Sequence, residues 1–495
     1  MEGFIGMAQA PDNMVDLFED LWEESILPYL TPKQKRQQTF EQALEFMINK
    51  FSSILKGSHY QERLNLRPEV KSNSKAQCLR DAGNRCFYLT QQNQLAKALT
   101  LYNESIAYAE KGSEDRALAY ANRASVCLQF RRYEDCLVNV RLARESNYPS
   151  RHAEKLNKRE EIAKNGLAKK NTNDGTVAPD EDCATRNDRK KAVETLKLSY
   201  SAHANVPQVA ECLQLRHDTT FGRHVVTNRA LKAGDVVMIE KPFLSVLDSN
   251  LHYIRCAYCH DERAFTLIPC EGCTTAMYCS EQCLSNAHQQ FHRYECGALR
   301  DLSQNGCETL RSLGLRATAV AITTFGHDLD ALKTHLEGLD ESKVNAFTMD
   351  WNTATQKDIY NTVHVLSTNQ ENRNRKFLAR DIFQCTIMHQ LMLERTELGA
   401  ICQADSKKAR LIFDLILRHR MICHANLLAM WGTPVMNESD NNSPPLLLGF
   451  GYFPLMSMLN HSCVPNVQNH TWNEINVSKD IFRYGIYFLL SMRSM

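Results

Sequence analysis

The 495-residue sequence predicts a multidomain α+β protein: an α-helical N-terminal region, then a β-rich domain split by a cysteine cluster and a helical insert. Three observations predict it. Residues 77–165 place apolar side chains at helical spacing and repeat that texture once. From residue 205 short apolar runs alternate with glycines, as strands and turns do. Between residues 256 and 296, cysteines and one histidine fall in four close pairs.

Composition bounds the function. Hydrophobic residues make up 43% and charged residues 23%, as in ordinary soluble domains. The chain has 58 basic and 57 acidic side chains, for a net charge of +1. That balance argues against a dedicated nucleic-acid binder. No basic segment followed by an apolar run opens the chain, so no signal peptide is expected. The most apolar long stretch, FDLILRHRMICHANLLAMW, is broken by Asp414, Arg418, His419 and Arg420, so no membrane span is expected. An intracellular location, cytoplasmic and nuclear, is the expectation. There the 18 cysteines serve as thiols or metal ligands.

In chain order, residues 1–70 read as a helical segment punctuated by Pro28 and Pro32. Residues 75–165 hold the repeat. Gly83 and Ala98 in one copy, and Ala124 and Cys136 in the other, are small enough for two helices to approach. Phe87, Tyr102 and Tyr133 would fill the space between helices. Residues 166–200 are polar, charged and poor in apolar side chains, and read as a linker. In 205–250, VVMIE and FLSVL suit strands, and Gly222 and Gly234 suit tight turns. Residues 297–438 are mostly helical by periodicity. Residues 439–470 open with the loop SDNNSPP and continue as GFGYFPLMSMLNHSCVPN, and residues 471–495 read as a tail that matches no recognisable motif.

The cysteine cluster reads Cys256-x2-Cys259, Cys270-x2-Cys273, Cys279-x3-Cys283 and His292-x3-Cys296. Zinc takes four tetrahedral sulfur or nitrogen ligands, so eight imply two closed structural sites with no position left for a reactive water. A segment with so little core of its own is folded largely by metal, a contribution of roughly 10–16 kcal/mol in small zinc domains. Such spacing suits no groove-reading helix, so sequence-specific DNA binding is not expected.

This spacing resembles the MYND finger. The resemblance implies that the pairs interleave: Cys256, Cys259, Cys279 and Cys283 hold one ion, and Cys270, Cys273, His292 and Cys296 the other. It also implies a finger that binds protein segments, often proline-rich. His288 falls where that family usually carries Trp and is read as a packing or surface residue. Two flanking stretches add to the likeness. FGRHVVTNRALKAGDVVMIEKPF resembles the first strands of a SET domain, and MSMLNHSCVPN resembles its Asn-His-Ser-Cys-x-Pro-Asn signature. Together with helical repeats similar to tetratricopeptide repeats, the pattern is that of the SET and MYND domain-containing family. Its repeat-bearing branch is the nearest match.

The resemblance implies a protein-lysine methyltransferase that uses S-adenosylmethionine on histone or other protein substrates. Such transfer needs donor and amine held in line, with the amine neutral. By the family's pattern Asn460 and His461 line the cofactor pocket, with Gly222 and Arg223 on another side and Asn426 adding a contact. Leu427 and Leu428 depart from the small-then-aromatic pair that usually follows that asparagine. After Asn466 the family's Gly-Glu-Glu turn, tyrosine segment and late cysteine cluster have no counterpart in VQNHTWNEINVSKDIFRYGIYFLLSMRSM. Cys463 therefore lacks partners for a third zinc, and no catalytic residue is assigned. The expectation is weak or absent turnover, with uncovered apolar faces where strands are missing. The alternative is a scaffold that binds proteins without catalysis. Arg80, Asn84, Asn122, Lys155 and Arg159 follow the basic-x3-Asn, Asn, Lys-x3-Arg pattern by which tetratricopeptide domains grip the acidic C-terminal tails of chaperones.

Overall fold

The computed structural model describes residues 13–30, 39–64, 66–89, 91–172, 197–303, 308–432, 446–460, 467–473 and 484–490. It comprises two compact units, each discontinuous in sequence. One contains Met1–Pro68, Gln290–Val344 and Gln356–Leu427; the other contains Glu69–Gln289, Asn345–Thr355 and Leu428–Met495. No helix among the described residues is long and apolar enough to cross a membrane.

The first unit begins with α1 (Asn13–Leu21), α2 (Phe40–Ile54) and α3 (Ser58–Leu64). Helix α2 starts with a reciprocal cap: Gln42 N donates to Thr39 Oγ1 at 3.3 Å and Thr39 N donates to Gln42 Oε1 at 3.0 Å.

The second unit opens with five helices, α4 (Asn73–Phe87), α5 (Gln92–Tyr108), α6 (Glu114–Gln129), α7 (Tyr133–Glu145) and α8 (Ala153–Thr172). Each packs on the next. The small residues sit where the helices close. A Cβ on Gly83 would fall 2.6 Å from the Tyr102 ring, and one on Gly166 would fall 2.4 Å from the Tyr133 ring. Ala98, Ala124 and Cys136 are fully buried. The sequence reading left Gly166 in the linker, yet α8 carries it against Tyr133.

Strands follow. Strands β1 (Ala202–His203), β2 (Val206–Ala210) and β5 (Val236–Glu240) join β11 (Val467–Asn473) and β12 (Tyr484–Leu490) in a sheet of order β1-β2-β5-β12-β11. A second sheet runs β6 (Leu244–Leu247), β10 (Leu446–Tyr452), β9 (Leu427–Gly432), and β3 (Leu213–Asp218) pairs with β4 (Gly222–Thr227) as a hairpin. Gly222 and Gly234 have φ of +62° and +91°, the left-handed turns glycine makes without strain. A core of Val206, Val209, Val237, Met238, Leu448, Phe453 and Leu455 lies among these strands.

Residues 484–490, for which the sequence offers no motif, form a strand between β5 and β11: Phe488 pairs with both Met238 and Asn469. The run YGIYFLL is rich in aromatic and branched residues, and β5 and β11 offer it two unpaired ladders.

Between the sheets come the short finger strands β7 (Ile268–Pro269) and β8 (Met277–Tyr278) and the helix α9 (Glu281–Gln290). The first unit then resumes with α10 (Leu299–Ser303), α11 (Glu308–Thr324), α12 (Leu329–Glu337), α13 (Gln356–His364), α14 (Arg375–Arg395), α15 (Leu398–Ala404) and α16 (Ser406–Asn426). Helix α16 packs on α11 and α14, and α14 packs on α2. Inside this bundle a hydrogen-bonded chain runs from Thr318 Oγ1 to His419 Nδ1 (3.0 Å), His419 Nε2 to the Tyr360 hydroxyl (3.3 Å), and on to His364 Nδ1 (3.2 Å). Burial, then the Arg418 charge, pushes His419 down to about 3 and His364 down to about 2.

The unfolded chain binds a proton at each of these histidines near pH 6.5, while the folded protein excludes it far below that. Stability from this pair is therefore full at pH 7 and is lost as pH falls below about 6.5, by about 2 kcal/mol per histidine at pH 5. Urea unfolding at pH 7 and pH 5 checks this. The His419→Gln variant should lose less stability between the two than the parent does.

Candidate metal centre and cofactor site

The finger's ligands come from four kinds of local structure. Cys256 and Cys259 sit on a turn closed by the His260 N–H donating to Cys256 O, and Cys270 and Cys273 lie in the loop that joins β7 to β8. Cys279 leads into α9, and Cys283 lies in its first turn. The Cys283 N–H is capped by Ser280 Oγ at 3.2 Å, which fixes where that helix begins. His292 starts a short 3₁₀ turn, and Cys296 N donates to His292 O, so the final pair shares one turn of chain.

These residues assemble as two groups, Cys256/Cys259/Cys279/Cys283 and Cys270/Cys273/His292/Cys296, with the ligand atoms of each group within 4.8 Å of one another. Cys259 Sγ stands 3.6 Å from Cys279 Sγ, and Cys279 Sγ stands 3.4 Å from Cys283 Sγ. Four sulfurs about 2.3 Å from a zinc ion stand about 3.8 Å apart, so the donor set fits the ion in chemistry and spacing. The grouping is the interleaved one. Interleaving lets each ion tie together chain segments that are distant in sequence.

Surrounding polar groups orient the ligands. The Gly272 N–H lies 3.3 Å from Cys270 Sγ, a contact that favours thiolate over thiol. His292 Nδ1 lies 3.6 Å from Glu295 Oε1. Glu295 is fully buried and is gripped by Arg316, whose Nη2 and Nε lie 2.6 and 3.1 Å from its two oxygens. Burial alone would raise that carboxyl, but Arg316 and His292 hold it at about 2. An ionised carboxylate beside a ligating imidazole fixes the ring and its tautomer. The sequence reading missed this support. Glu295 beside Cys296 was a visible signal, but Arg316 is too far along the chain for spacing to reveal it. His288 Nε2 lies 3.9 Å from Cys270 Sγ, outside the ligand group.

Three of the five candidate cofactor residues, Gly222, Arg223 and Asn460, lie at the β3–β4 hairpin. Asp218 Oδ1 accepts from the N–H groups of Thr220 (2.9 Å) and Phe221 (2.7 Å), which folds the hairpin's tip. Gly222 follows with open space on its Cβ side. Asn460 Nδ2 donates to Phe221 O at 3.0 Å, so the signature's asparagine meets the chain next to Gly222 and Arg223. Glu240 positions the approach to that asparagine: its two carboxylate oxygens accept the N–H groups of Leu455 and Met456, each at 2.9 Å. Burial raises Glu240 to about 8 against the pull of those two N–H groups. Asn426 belongs to the other unit, where its amide donates to Ser367 O (2.8 Å) and Ile422 O (3.1 Å). His461 lies outside the described residues.

Of the clamp residues, Asn84 and Asn122 meet directly. Asn84 Oδ1 accepts from Asn122 Nδ2 at 2.8 Å and from the Tyr102 hydroxyl at 2.9 Å. The Arg159 charge acts on Tyr102 and Tyr148, and Lys155 is exposed on the same helix. Arg80 is buried and ion-paired to Asp115 at 2.8 Å, so its charge is already matched.

With two independent tetrahedral sets, Cys256→Ser should remove about one zinc per chain and leave the other, as should Cys273→Ser, while the parent binds about two. Atomic emission on gel-filtered protein checks both. Loss of all metal from either variant would show that the two sites stand or fall together.

Comparison with known proteins agrees with this geometry. The MYND finger family matches residues 256–296. The chain is 24% identical over 433 residues to "Protein-lysine N-methyltransferase SMYD4" of Danio rerio, covering 80% of this chain and 55% of that protein. It is 24% identical over 482 residues to the Homo sapiens protein of the same name, covering 78% and 59%. "Histone-lysine N-methyltransferase ASHR1" of Arabidopsis thaliana is 22% identical over 269 residues, covering 52% and 43%. The chain thus spans less than two thirds of the length of each of these relatives. A MYND finger with both ligand groups assembled, together with similarity to lysine methyltransferases over about four fifths of the chain, fits the SET and MYND domain-containing family.

Proposed function

We propose that this chain takes part in protein-lysine methylation as a SET-MYND-type methyltransferase that binds S-adenosylmethionine at the β3–β4 hairpin. The observation that carries the reading is the Asn460 side chain bonded to Phe221 O, beside the open Gly222. When bound, S-adenosylmethionine supplies an electrophilic methyl group. The chain's own residues hold the pocket's walls. Asp218 folds the hairpin tip, Asn460 ties it to the segment before residue 461, and Glu240 fixes that segment's backbone.

Calorimetry on the zinc-loaded chain tests the cofactor. S-adenosylmethionine should bind, and Asn460→Ala should weaken it by up to about tenfold, the cost of one lost hydrogen bond. Absence of any binding heat in the parent would end the enzyme reading.

The second reading, a protein-binding scaffold, is favoured by the Asn84–Asn122–Tyr102 cluster, a polar floor with the basic Lys155 and Arg159 on a neighbouring helix. We propose that it takes a peptide's C-terminal carboxylate, as on a chaperone tail. A peptide ending in Glu-Glu-Val-Asp should bind in a salt-sensitive way, and Lys155→Ala with Arg159→Ala should weaken it about tenfold or more. Because Arg80 is spent on Asp115, Arg80→Ala should matter less for binding than those two. Unchanged affinity in the double variant would refute the clamp.

A further inference from the structure

The face that helices α4–α7 turn toward the finger is built from polar side chains that no isolated helical domain could keep buried. Asn103, Arg123 and Asn139 are fully buried, and Arg116 nearly so. Beyond the bonds they make among themselves and within the helices, their partners are backbone carbonyls and one carboxylate of the finger and the turn leading into it. Asn103 Nδ2 donates to Tyr253 O (2.8 Å) and Ala264 O (2.7 Å). Arg123 Nη1 donates to Leu267 O at 2.8 Å, and Asn139 Nδ2 donates to Phe265 O at 2.7 Å. Arg116 forms a two-pronged pair with Glu271 at 2.6 and 3.0 Å. From the strap ahead of α4, Lys71 Nζ donates to Cys270 O at 2.5 Å, and Glu69 accepts the Thr274 N–H at 2.6 Å. The apolar share is small: Ala264 against Ala98, Leu99, Tyr102 and Val126, and Phe265 edge-on to Phe130.

These acceptors are interleaved with metal ligands. Cys256 and Cys259 precede Ala264, Phe265 and Leu267, and Cys270 and Cys273 follow them. A loop without strand or helix over most of its length keeps its carbonyls in place only while the ligands on either side are held. If the loop lets go, Arg123, Asn103 and Asn139 lose their bonds to it at once and keep those they make with one another and with Asp135 O. Each such loss costs about 1–3 kcal/mol.

We infer that the 253–274 loop of the finger is a protein-recognition surface whose occupant is α4–α7 of the same chain, so that metal in the finger governs folding of the helical repeats. The expected docking of proline-rich peptides then falls to faces of the finger that this loop does not include. The occupant is set by chemistry: a row of carbonyls plus one carboxylate is met by a row of amide and guanidinium donors.

Hydrogen exchange read by mass spectrometry on the full chain tests this. With zinc bound, residues 73–145 should be protected. Stripping zinc with a chelator should raise their exchange at least about tenfold, together with that of residues 253–274. A reciprocal arm uses Glu271, which is nearly half exposed, so that its replacement leaves the fold intact. Glu271→Gln should speed zinc transfer to a chelating dye about tenfold. Arg123→Met with Asn103→Ala should speed it further, or leave a chain that retains no zinc. Zinc that departs while residues 73–145 keep their protection, or release rates unchanged in Glu271→Gln, would overturn the inference and leave the metal centre itself standing. A folded parent holding no zinc would overturn both.

Discussion

Two tetrahedral ligand sets spread through 41 residues impose the constraint on which the neighbouring structure depends. Residues 256–296 hold two short strands and one helix of ten residues, too little apolar area to fold alone. Metal replaces the missing core. Because the pairs interleave, each ion ties together chain segments that flank ligands of the other. That rigidity lets loop carbonyls act as fixed acceptors for α4–α7, and places Glu295 between the His292 imidazole and the Arg316 guanidinium.

The strand-rich part follows a different logic. There the organising contact is a single buried carboxylate. Glu240 closes the end of β5 onto the backbone of Leu455 and Met456, and thereby sets where the chain reaches Asn460. The hairpin tip comes to the same place through Asp218 and the Phe221 carbonyl. Segments more than 200 residues apart in sequence are joined by one carboxylate and one amide. The helical unit is held by buried polar networks too, with Arg420 and His424 gathered on Asp381, Gln384 accepting from Arg420, and neutral histidines around Tyr360. Buried polar groups of this kind tolerate few alternatives, since each lost partner leaves another unsatisfied.

Much of this was legible in the residues. Ligand spacing exposed the metal centre, because zinc chemistry restricts both residue type and local geometry. Small residues exposed helix contacts, and Gly83 against Tyr102 illustrates why: nothing larger fits. Positive-φ turns at Gly222 and Gly234 were likewise forced by local sterics. What stayed hidden was long-range pairing. Nothing local marks Arg123 as a buried donor to Leu267 O, or Arg80 as spent on Asp115, because each partner is chosen by tertiary packing. The strand at 484–490 was missed for a related reason. No local motif marks it, and what makes it a strand is the pair of ladders it completes.

The central claim is that two metal ions, held by seven thiolates and one imidazole, are the foundation of this part of the fold. X-ray absorption at the zinc edge on purified, folded protein tests it most directly. The account predicts a first shell averaging about 3.5 sulfurs and 0.5 nitrogens per zinc, with sulfur at about 2.3 Å. A shell dominated by oxygen or nitrogen, or too little zinc to yield a spectrum, would contradict it.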